Sequence, residues 1–275
     1  MTVFQALKTG EARLAQVPDP RLDAEYLLAH VLGLPRLEML VDKRRALTQP
    51  QAAAYEALLA RRESREPLQY ILGTQSFMGL PFKTDPRALI PRNDTETLCE
   101  AALALLRPGQ RVLDLCTGTG ALAIAIQKLA PGVCVTGTDI SPDALSLARE
   151  NAAALGANVC LVQGDLFAPV EAEVFDVIIS NPPYIPDALR GQLQAEVERE
   201  PALALFAGPD GLDFYRRIAR EAPAHLVPGG WLLLEIGDEQ FGPVQALLQD
   251  DFCSVSLLKD LNGLPRVVRA ERKKP

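Results

Sequence analysis

Asn181-Pro182-Pro183-Tyr184 is the stretch whose residue types and order could do chemistry. The Asn181 side chain offers a carbonyl oxygen, and the Pro182 carbonyl is followed by a residue with no amide hydrogen. Two hydrogen-bond acceptors beside one aromatic plate, Tyr184, suit a planar –NH2 group attached to an sp2 carbon. Both hydrogens can be accepted while the ring covers the plane. Each proline fixes its own φ and pushes the residue before it toward extended geometry, so Asn181 and Pro182 are both held rigid. The bland alternative is a proline-stiffened strand exit with no chemistry.

Something must present that hook. Phe175 to Ser180 is a short apolar, β-branched run, read as a buried strand of a sheet covered on both faces. The hook then lies at the carboxyl end of a strand, where open α/β sheets bind ligands. From Arg107 onward strands and helices alternate, which predicts a doubly wound sheet. Arg111 to Leu115 is its first strand, Cys116-Thr117-Gly118-Thr119-Gly120 a tight turn, and Ala121 to Leu129 the following helix. Val133 to Thr138, ending at Asp139, and Val159 to Gln163 are the next strands. Leu212 to Leu226 is a helix, Trp231 to Ile236 a strand and Val244 to Gln249 a helix. Phe252 to Leu258 with Arg266 to Ala270 closes the sheet as a hairpin, and the basic tail from Arg269 to Lys274 is expected to fray.

Residues 1–66 read as helices. One is centred on Leu22 to Leu32 and stops at Gly33; one starts at Pro35; one is capped by Thr48 with Tyr55, Leu58 and Leu59 on one face. Residues 67–92 change to short strands and turns, with a hairpin turning near Gly79, and residues 93–275 hold the α/β pattern. Ile185 to Glu200 is polar and helix-forming and is a candidate lid over the amine pocket. Its Glu196, Glu198 and Glu200 read as a solvated face.

Three separated stretches carry a specific resemblance: Arg65-Glu66-Pro67-Leu68-Gln69-Tyr70-Ile71-Leu72-Gly73, Ile90-Pro91-Arg92-Asn93-Asp94-Thr95-Glu96, and Asn181-Pro182-Pro183-Tyr184. Together they resemble the HemK/PrmC family, N5-glutamine methyltransferases of class 1 peptide chain release factors. The match runs over nearly the whole chain. It implies a seven-stranded, doubly wound, Rossmann-like methyltransferase sheet behind a small N-terminal helical bundle. It also implies S-adenosylmethionine as cofactor and the glutamine of a Gly-Gly-Gln loop as substrate. Asn181, Pro182, Pro183 and Tyr184 would then form the catalytic hook, and the helical bundle would recognise the partner. Asn93 stands where the family usually has proline, and Cys116 where the methyltransferase turn usually has glycine. If that position requires positive φ, Cys116 is strained.

Within that resemblance the turn Cys116, Thr117, Gly118, Thr119 and Gly120 would face the methionine moiety, with its carboxylate at the helix N-terminus. A lone glycine-rich turn is weak evidence, since nicotinamide and flavin cofactors use the same device. Asp139, about 20 residues beyond the turn, is placed to accept from ribose hydroxyls, or else it serves as the N-terminal anion of the next helix. Asp165 suits the adenine amino group. Leu166 and Phe167 can cover the adenine face, or simply belong to the core. Asn181 would touch both cofactor and amine. Asp94-Thr95-Glu96 caps a helix, closes the cofactor pocket, or does both.

Composition sets the outer bounds. Net charge is −7 with a sequence pI near 5.0, which disfavours a non-specific nucleic-acid coat. No direct nucleic-acid substrate is expected. Two histidines and five cysteines without a Cys-x-x-Cys pair argue against a metal centre and for buried, reduced thiols in a cytoplasmic protein. No apolar run approaches the roughly 20 residues that cross a bilayer, and a monomer is expected. Competing readings are methylation of a ribosomal-protein glutamine, an adenine-N6 nucleic-acid methyltransferase, and a non-catalytic binding module.

Overall fold

The computed structural model describes residues 1–274 and divides into two compact units. The smaller comprises Met1–Gly73 with Gln194–Arg199; the larger comprises Thr74–Leu193 with Glu200 onward.

The smaller unit is helical: α1 (Val3–Arg13), α2 (Pro20–Leu32), α3 (Arg36–Val41), α4 (Gln49–Glu63) and α5 (Leu68–Leu72). Thr2 and Thr48 each close a capping box with the glutamine three residues on, satisfying donors that a helix start leaves open. Val3, Leu14, Leu27, Leu28, Met39, Tyr55 and Leu59 form its core. The expected change to strands at residue 67 comes later, because Leu68 to Leu72 still makes a helical turn before Gly73. Gln194–Arg199 joins this unit through charge. Glu196 meets Arg62 at 2.8 Å and Arg65 at 2.6 Å, and Arg62, only 4% exposed, also holds Asp23 at 2.7 Å.

The larger unit opens with the hairpin β1 (Thr74–Phe77) and β2 (Leu80–Lys83), then α6 (Glu96–Leu103). There follow β3 (Arg111–Leu115), α7 (Ala121–Leu129), β4 (Cys134–Asp139), α8 (Pro142–Leu155), β5 (Cys160–Gln163), β6 (Phe175–Ser180), α9 (Asp213–His225), β7 (Leu226–Glu235), α10 (Phe241–Leu248), β8 (Phe252–Lys259) and β9 (Pro265–Arg272). The last seven strands form one sheet ordered β5-β4-β3-β6-β7-β9-β8, parallel except where β9 runs against β7 and β8. Both faces are covered. Leu113, Ile178, Leu232 and Leu234 pack with Tyr215 and Ile218 of α9 and Val244 of α10. Val112, Val177, Ile179 and Leu233 pack with Leu98 of α6 and Ile124 of α7. That double burial is why these strands read as unbroken apolar runs.

Other expectations change as well. Ile185 to Glu200 contains only two three-residue 3-10 turns, Asp187–Leu189 and Val197–Arg199, because Pro186 and Gly191 interrupt any longer helix. Glu196 is ion-paired and Glu200 is 5% exposed, so of this acidic run Glu198 alone is an exposed residue. The tail does not fray at Arg269: β9 pairs with β7 as far as Glu271 and with β8 as far as Arg272. Cys134, Cys160 and Cys253 are exposed, and only Cys99 is fully buried.

Candidate active site

Chain order and sheet order diverge between β3 and β6. From β3 the chain steps outward to β4 and β5, then returns to add β6 on the other side. This is the switch point at which a doubly wound sheet opens a crevice. Leu115 pairs with Ser180, so the Cys116 turn and the Asn181 hook leave adjacent strand ends. Ser180 Oγ fastens the two by donating to the Leu115 carbonyl at 2.8 Å. A cleft lies there, lined by the Cys116 turn, the β4 end, the 164–166 turn and the hook.

The turn is held from beneath. Asp114 is fully buried and accepts from Thr117 Oγ1 at 2.6 Å and Ala123 N at 3.2 Å. Burial pushes its carboxyl up to about 7. Asn151 of α8, 1% exposed, donates to the Thr119 carbonyl at 3.0 Å and accepts from Lys83 N at 2.8 Å, tying turn and hairpin to one helix. Asp139 closes the arrangement from the β4 end. Its two oxygens accept from Gly118 N and Ser141 N, each at 2.9 Å. Burial raises its pKa while those amides oppose the rise. At Gly118, φ is +56 and a Cβ would meet nothing nearer than the Cys116 carbonyl at 3.9 Å, so the backbone faces open cleft without a side chain in the way. Cys116 does adopt φ +58, the strained geometry foreseen for a residue in glycine's place. Its thiol is pushed up by burial and by Asp139 and Asp114, which leaves it protonated and a poor nucleophile.

The hook is stiffened by partners as well as by proline. Ile185 N donates to the Leu205 carbonyl and Ala207 N to the Ile185 carbonyl, both at 2.9 Å. Gln240 Nε2 donates to the Tyr184 carbonyl at 2.9 Å while its Oε1 accepts from Gly237 N at 2.9 Å. Gly211 (φ +74) passes so close that a Cβ there would sit 2.2 Å from the Tyr184 carbonyl. Asn181 Nδ2 donates to Thr95 Oγ1 at 3.2 Å. Among the described residues no donor reaches Asn181 Oδ1 or the Pro182 carbonyl. Burial pushes the Tyr184 hydroxyl up to about 12, with Glu235 adding to the rise.

Of the residues singled out from sequence, Cys116, Gly118, Asp139, Asp165, Leu166, Asn181 and Pro183 line the cleft. Thr117, Thr119 and Gly120 do not; the two threonines are 6% and 3% exposed and serve the turn itself. Phe167 is also absent from the cleft. It is 2% exposed and stacks on His225 with ring centroids 4.6 Å apart, so the core reading describes it. Asp165 is held by Arg217 at 2.8 Å. Pro182 is buried, and Tyr184 packs against the core beside the hook. Thr95 meets Asn181, whereas Glu96 accepts from Met78 N at 2.6 Å and fixes the hairpin turn. Asn93 Oδ1 accepts from Gln75 at 3.3 Å, a bond proline would not make. Sequence reading missed Arg87, Ala88, Leu89, Ile140 and Phe214, which wall the cleft, and Pro201, Leu203 and Ala204, which do so in place of the proposed lid. No spacing rule marks such residues, because their common property is tertiary.

Similarity to known proteins agrees with this architecture. Residues 5–73 match the family model of the PrmC N-terminal domain, and residues 95–197 match that of the methyltransferase small domain. A crystal structure of a methyltransferase from Pyrococcus furiosus shares the fold at a TM-score of 0.54 and 24% identity, covering 73% of this chain and 92% of that one. The T. thermophilus 16S rRNA N2 G1207 methyltransferase, solved in complex with AdoMet and guanosine, aligns at a TM-score of 0.55 and 21% identity over 73% of this chain and 50% of that one. Full-length relatives are more similar. The release factor glutamine methyltransferase of Geobacter sulfurreducens is 47% identical over 97% of this chain and 95% of its own length. That of Deinococcus radiodurans is 44% identical over 99% of both. With a switch-point cleft beside Asn181 and this identity from end to end, the chain belongs to the release factor glutamine methyltransferase family.

Proposed function

We propose that this protein transfers a methyl group from S-adenosylmethionine to the side-chain amide nitrogen of the Gly-Gly-Gln glutamine of class 1 peptide chain release factors. The single observation that carries the reading is Asn181 at the rim of the cleft. Its Nδ2 is engaged by Thr95, and its Oδ1 is left for an incoming amide.

The cleft's own chemistry fits the cofactor. Gly118 leaves room for close backbone approach, and Asp139 has lone pairs beyond the two that its amide partners use. Leu89, Ile140, Leu166 and Phe214 give apolar walls for a flat base. Asp139 would hold the ribose and the Gly118 turn would receive the methionine end, while Asp165 answers to Arg217 as well as to any ligand. When bound, the cofactor supplies a methyl group on a sulfonium, already electrophilic.

The chain's residues then have to prepare a poor nucleophile, because an amide lone pair is delocalised into its carbonyl. Asn181 Oδ1 and the Pro182 carbonyl accept the two amide hydrogens, which raises electron density on nitrogen and fixes its direction. Tyr184 packs on the amide plane. Pro183 and the Gln240 bond to the Tyr184 carbonyl keep the two acceptors from drifting apart. The walls exclude water that would otherwise solvate the amide. No base is required before transfer; the proton leaves once the nitrogen is alkylated.

Almost every protein displays glutamine, so the hook alone gives no selectivity. The helical unit carries no reaction site and is assigned to partner recognition, with residues 1–66 as the recognition domain, 67–92 as linker and 93–275 as the methyltransferase domain. Steady-state methylation of intact release factor against a short Gly-Gly-Gln peptide tests this division. A large advantage in kcat/KM for the intact factor supports it, and equal values contradict it.

A further inference from the structure

The carboxyl of Glu235 lies near the hook, and the mechanism leaves it without a task. It closes β7, one residue beyond Leu234, the partner of Ser180, and is 1% exposed. One of its oxygens, Oε2, is buried with no hydrogen-bond partner. Asp114 also keeps one such oxygen, but two other buried acids do not: Glu200 meets Arg92 and Ile90 N, and Asp260 meets Arg266 and two backbone amides. The hydroxyl that faces Glu235 is that of Thr95, whose oxygen accepts from Asn181 Nδ2 at 3.2 Å. An apolar residue at that depth would cost less stability than a carboxyl with an idle oxygen.

We propose that Glu235 is a positioning residue for Asn181, acting through Thr95. By taking the single Thr95 hydroxyl hydrogen it leaves that oxygen only as an acceptor, which turns Asn181 Nδ2 inward and Oδ1 toward the substrate amide. A side-chain amide can rotate by 180° and exchange its oxygen and nitrogen, and only the surrounding donors and acceptors decide which way it lies. A hydroxyl is ambivalent; it donates once and accepts. With its hydrogen committed to Glu235, a flipped Asn181 would place a carbonyl oxygen against an oxygen lone pair. Freed from Glu235, the Thr95 hydroxyl could donate to a flipped Asn181 Oδ1, and the hook would then show the substrate an –NH2 where it needs an acceptor. The inference rests on the amine-site reading of Asn181 and names what makes that site single-valued.

Ionisation strengthens the device, since a hydrogen bond to a charged acceptor is the stronger kind. Burial pushes Glu235 up to about 7 against the Thr95 bond. The groups that face it are Asp94 and Thr95 from the turn before α6, Arg92 just ahead of that turn, Tyr184 of the hook, Tyr215 of α9 and Arg266 of β9. Arg92 is committed to Glu200, and Arg266 to Asp260, Asp238 and Asp94. Tyr215 donates to the Glu235 backbone carbonyl at 2.7 Å. None of these replaces Thr95 as the side-chain partner.

Steady-state kcat and KM with purified release factor, together with calorimetry of S-adenosylmethionine binding, test the proposal. Glu235→Leu and Thr95→Val should each lower kcat by about 10- to 100-fold, the range set by losing one charge-assisted bond, and leave the cofactor Kd nearly unchanged. The double variant should be no worse than either single one, because both break the same relay. Glu235→Gln, whose carbonyl can still accept from Thr95, should recover most of kcat. Wild-type kcat in Glu235→Leu, multiplied losses in the double variant, or a Glu235→Gln protein as impaired as Glu235→Leu overturns the inference. Should Glu235→Leu fail to fold, the near-isosteric Thr95→Val carries the same expectation. Asn181→Ala separates the two layers. If it stays active, the amine-site reading itself has failed; if it is dead while Glu235→Leu is fully active, only the relay has failed.

Discussion

Asp139 allows the cofactor site to be tested quantitatively. Its carboxylate does two jobs: it holds the turn by accepting from Gly118 N and Ser141 N, and it is assigned the ribose hydroxyls. Asp139→Ala removes both acceptors and leaves two backbone amides to find water in a half-buried setting. Each unmade bond costs about 1–3 kcal/mol when water cannot fully substitute. The cofactor Kd should therefore weaken by about 1–3 kcal/mol, roughly 5- to 150-fold. Stability should fall by a similar amount, about 2–10 °C in Tm for a chain of this size. Asp139→Asn is the sharper variant. Asparagine has one acceptor oxygen, so its –NH2 must face one of the two amide donors, and it should lose stability much as alanine does despite its shape. Calorimetry with S-adenosylmethionine and thermal unfolding read the two jobs separately. A Kd unchanged within error removes Asp139 from the binding site, and an Asp139→Asn protein as stable as the wild type refutes the two-amide account.

Other expectations follow from the same geometry. Asn181→Ala should abolish turnover while cofactor binding stays mostly intact; equal loss of both in calorimetry and a methyl-transfer assay would make Asn181 a cofactor residue first. Gly211→Ala should lower kcat and stability together, since its Cβ would sit 2.2 Å from the Tyr184 carbonyl at a φ that alone costs about 1–2 kcal/mol for a residue with a side chain; a wild-type Tm and kcat would show that the hook is not pinned there. Stability should have an optimum in mildly acidic solution. Burial raises Asp114 and Glu235 to about 7, so the folded state holds extra protons: their contribution is full below the unfolded pKa near 4 and is lost as pH rises through 7. Against the cost of burial, Arg65 and Arg62 hold Glu196 at about 2, so its contribution is present above the unfolded value and is lost as pH falls toward 2. Thermal unfolding across pH 2–8 checks both arms, and a Tm that climbs steadily from pH 6 to 8 contradicts the first.

Much of the larger unit was legible because its signals are local. Arg111 to Leu115, Ala121 to Leu129 and Phe175 to Ser180 fall where apolar runs meet glycine or proline, and the covering of both sheet faces makes such runs unambiguous. The hook was legible because Pro182 and Pro183 restrict the backbone whatever surrounds them. Ile185 to Glu200 misled because polar, helix-favouring residues carry no information about Arg62 and Arg65, which lie far away in sequence and take up Glu196. Phe167 was ambiguous for a similar reason. An aromatic beside a strand end suits a base or a core equally, and only the position of His225 decides. Gln240 and Glu235 gave no signal at all. One lies in a turn that reads as surface, and the other ends an apolar strand where an acid looks like a solvent-facing terminus.

The central claim is the identity of the methyl acceptor. The direct measurement is incubation of the enzyme with isotopically labelled S-adenosylmethionine and, separately, purified class 1 release factors, ribosomal proteins and DNA, followed by mapping of the labelled residue. Label confined to the release factor, on the side-chain nitrogen of the Gly-Gly-Gln glutamine, is the predicted result. Label on DNA, or on a ribosomal protein alone, contradicts the account.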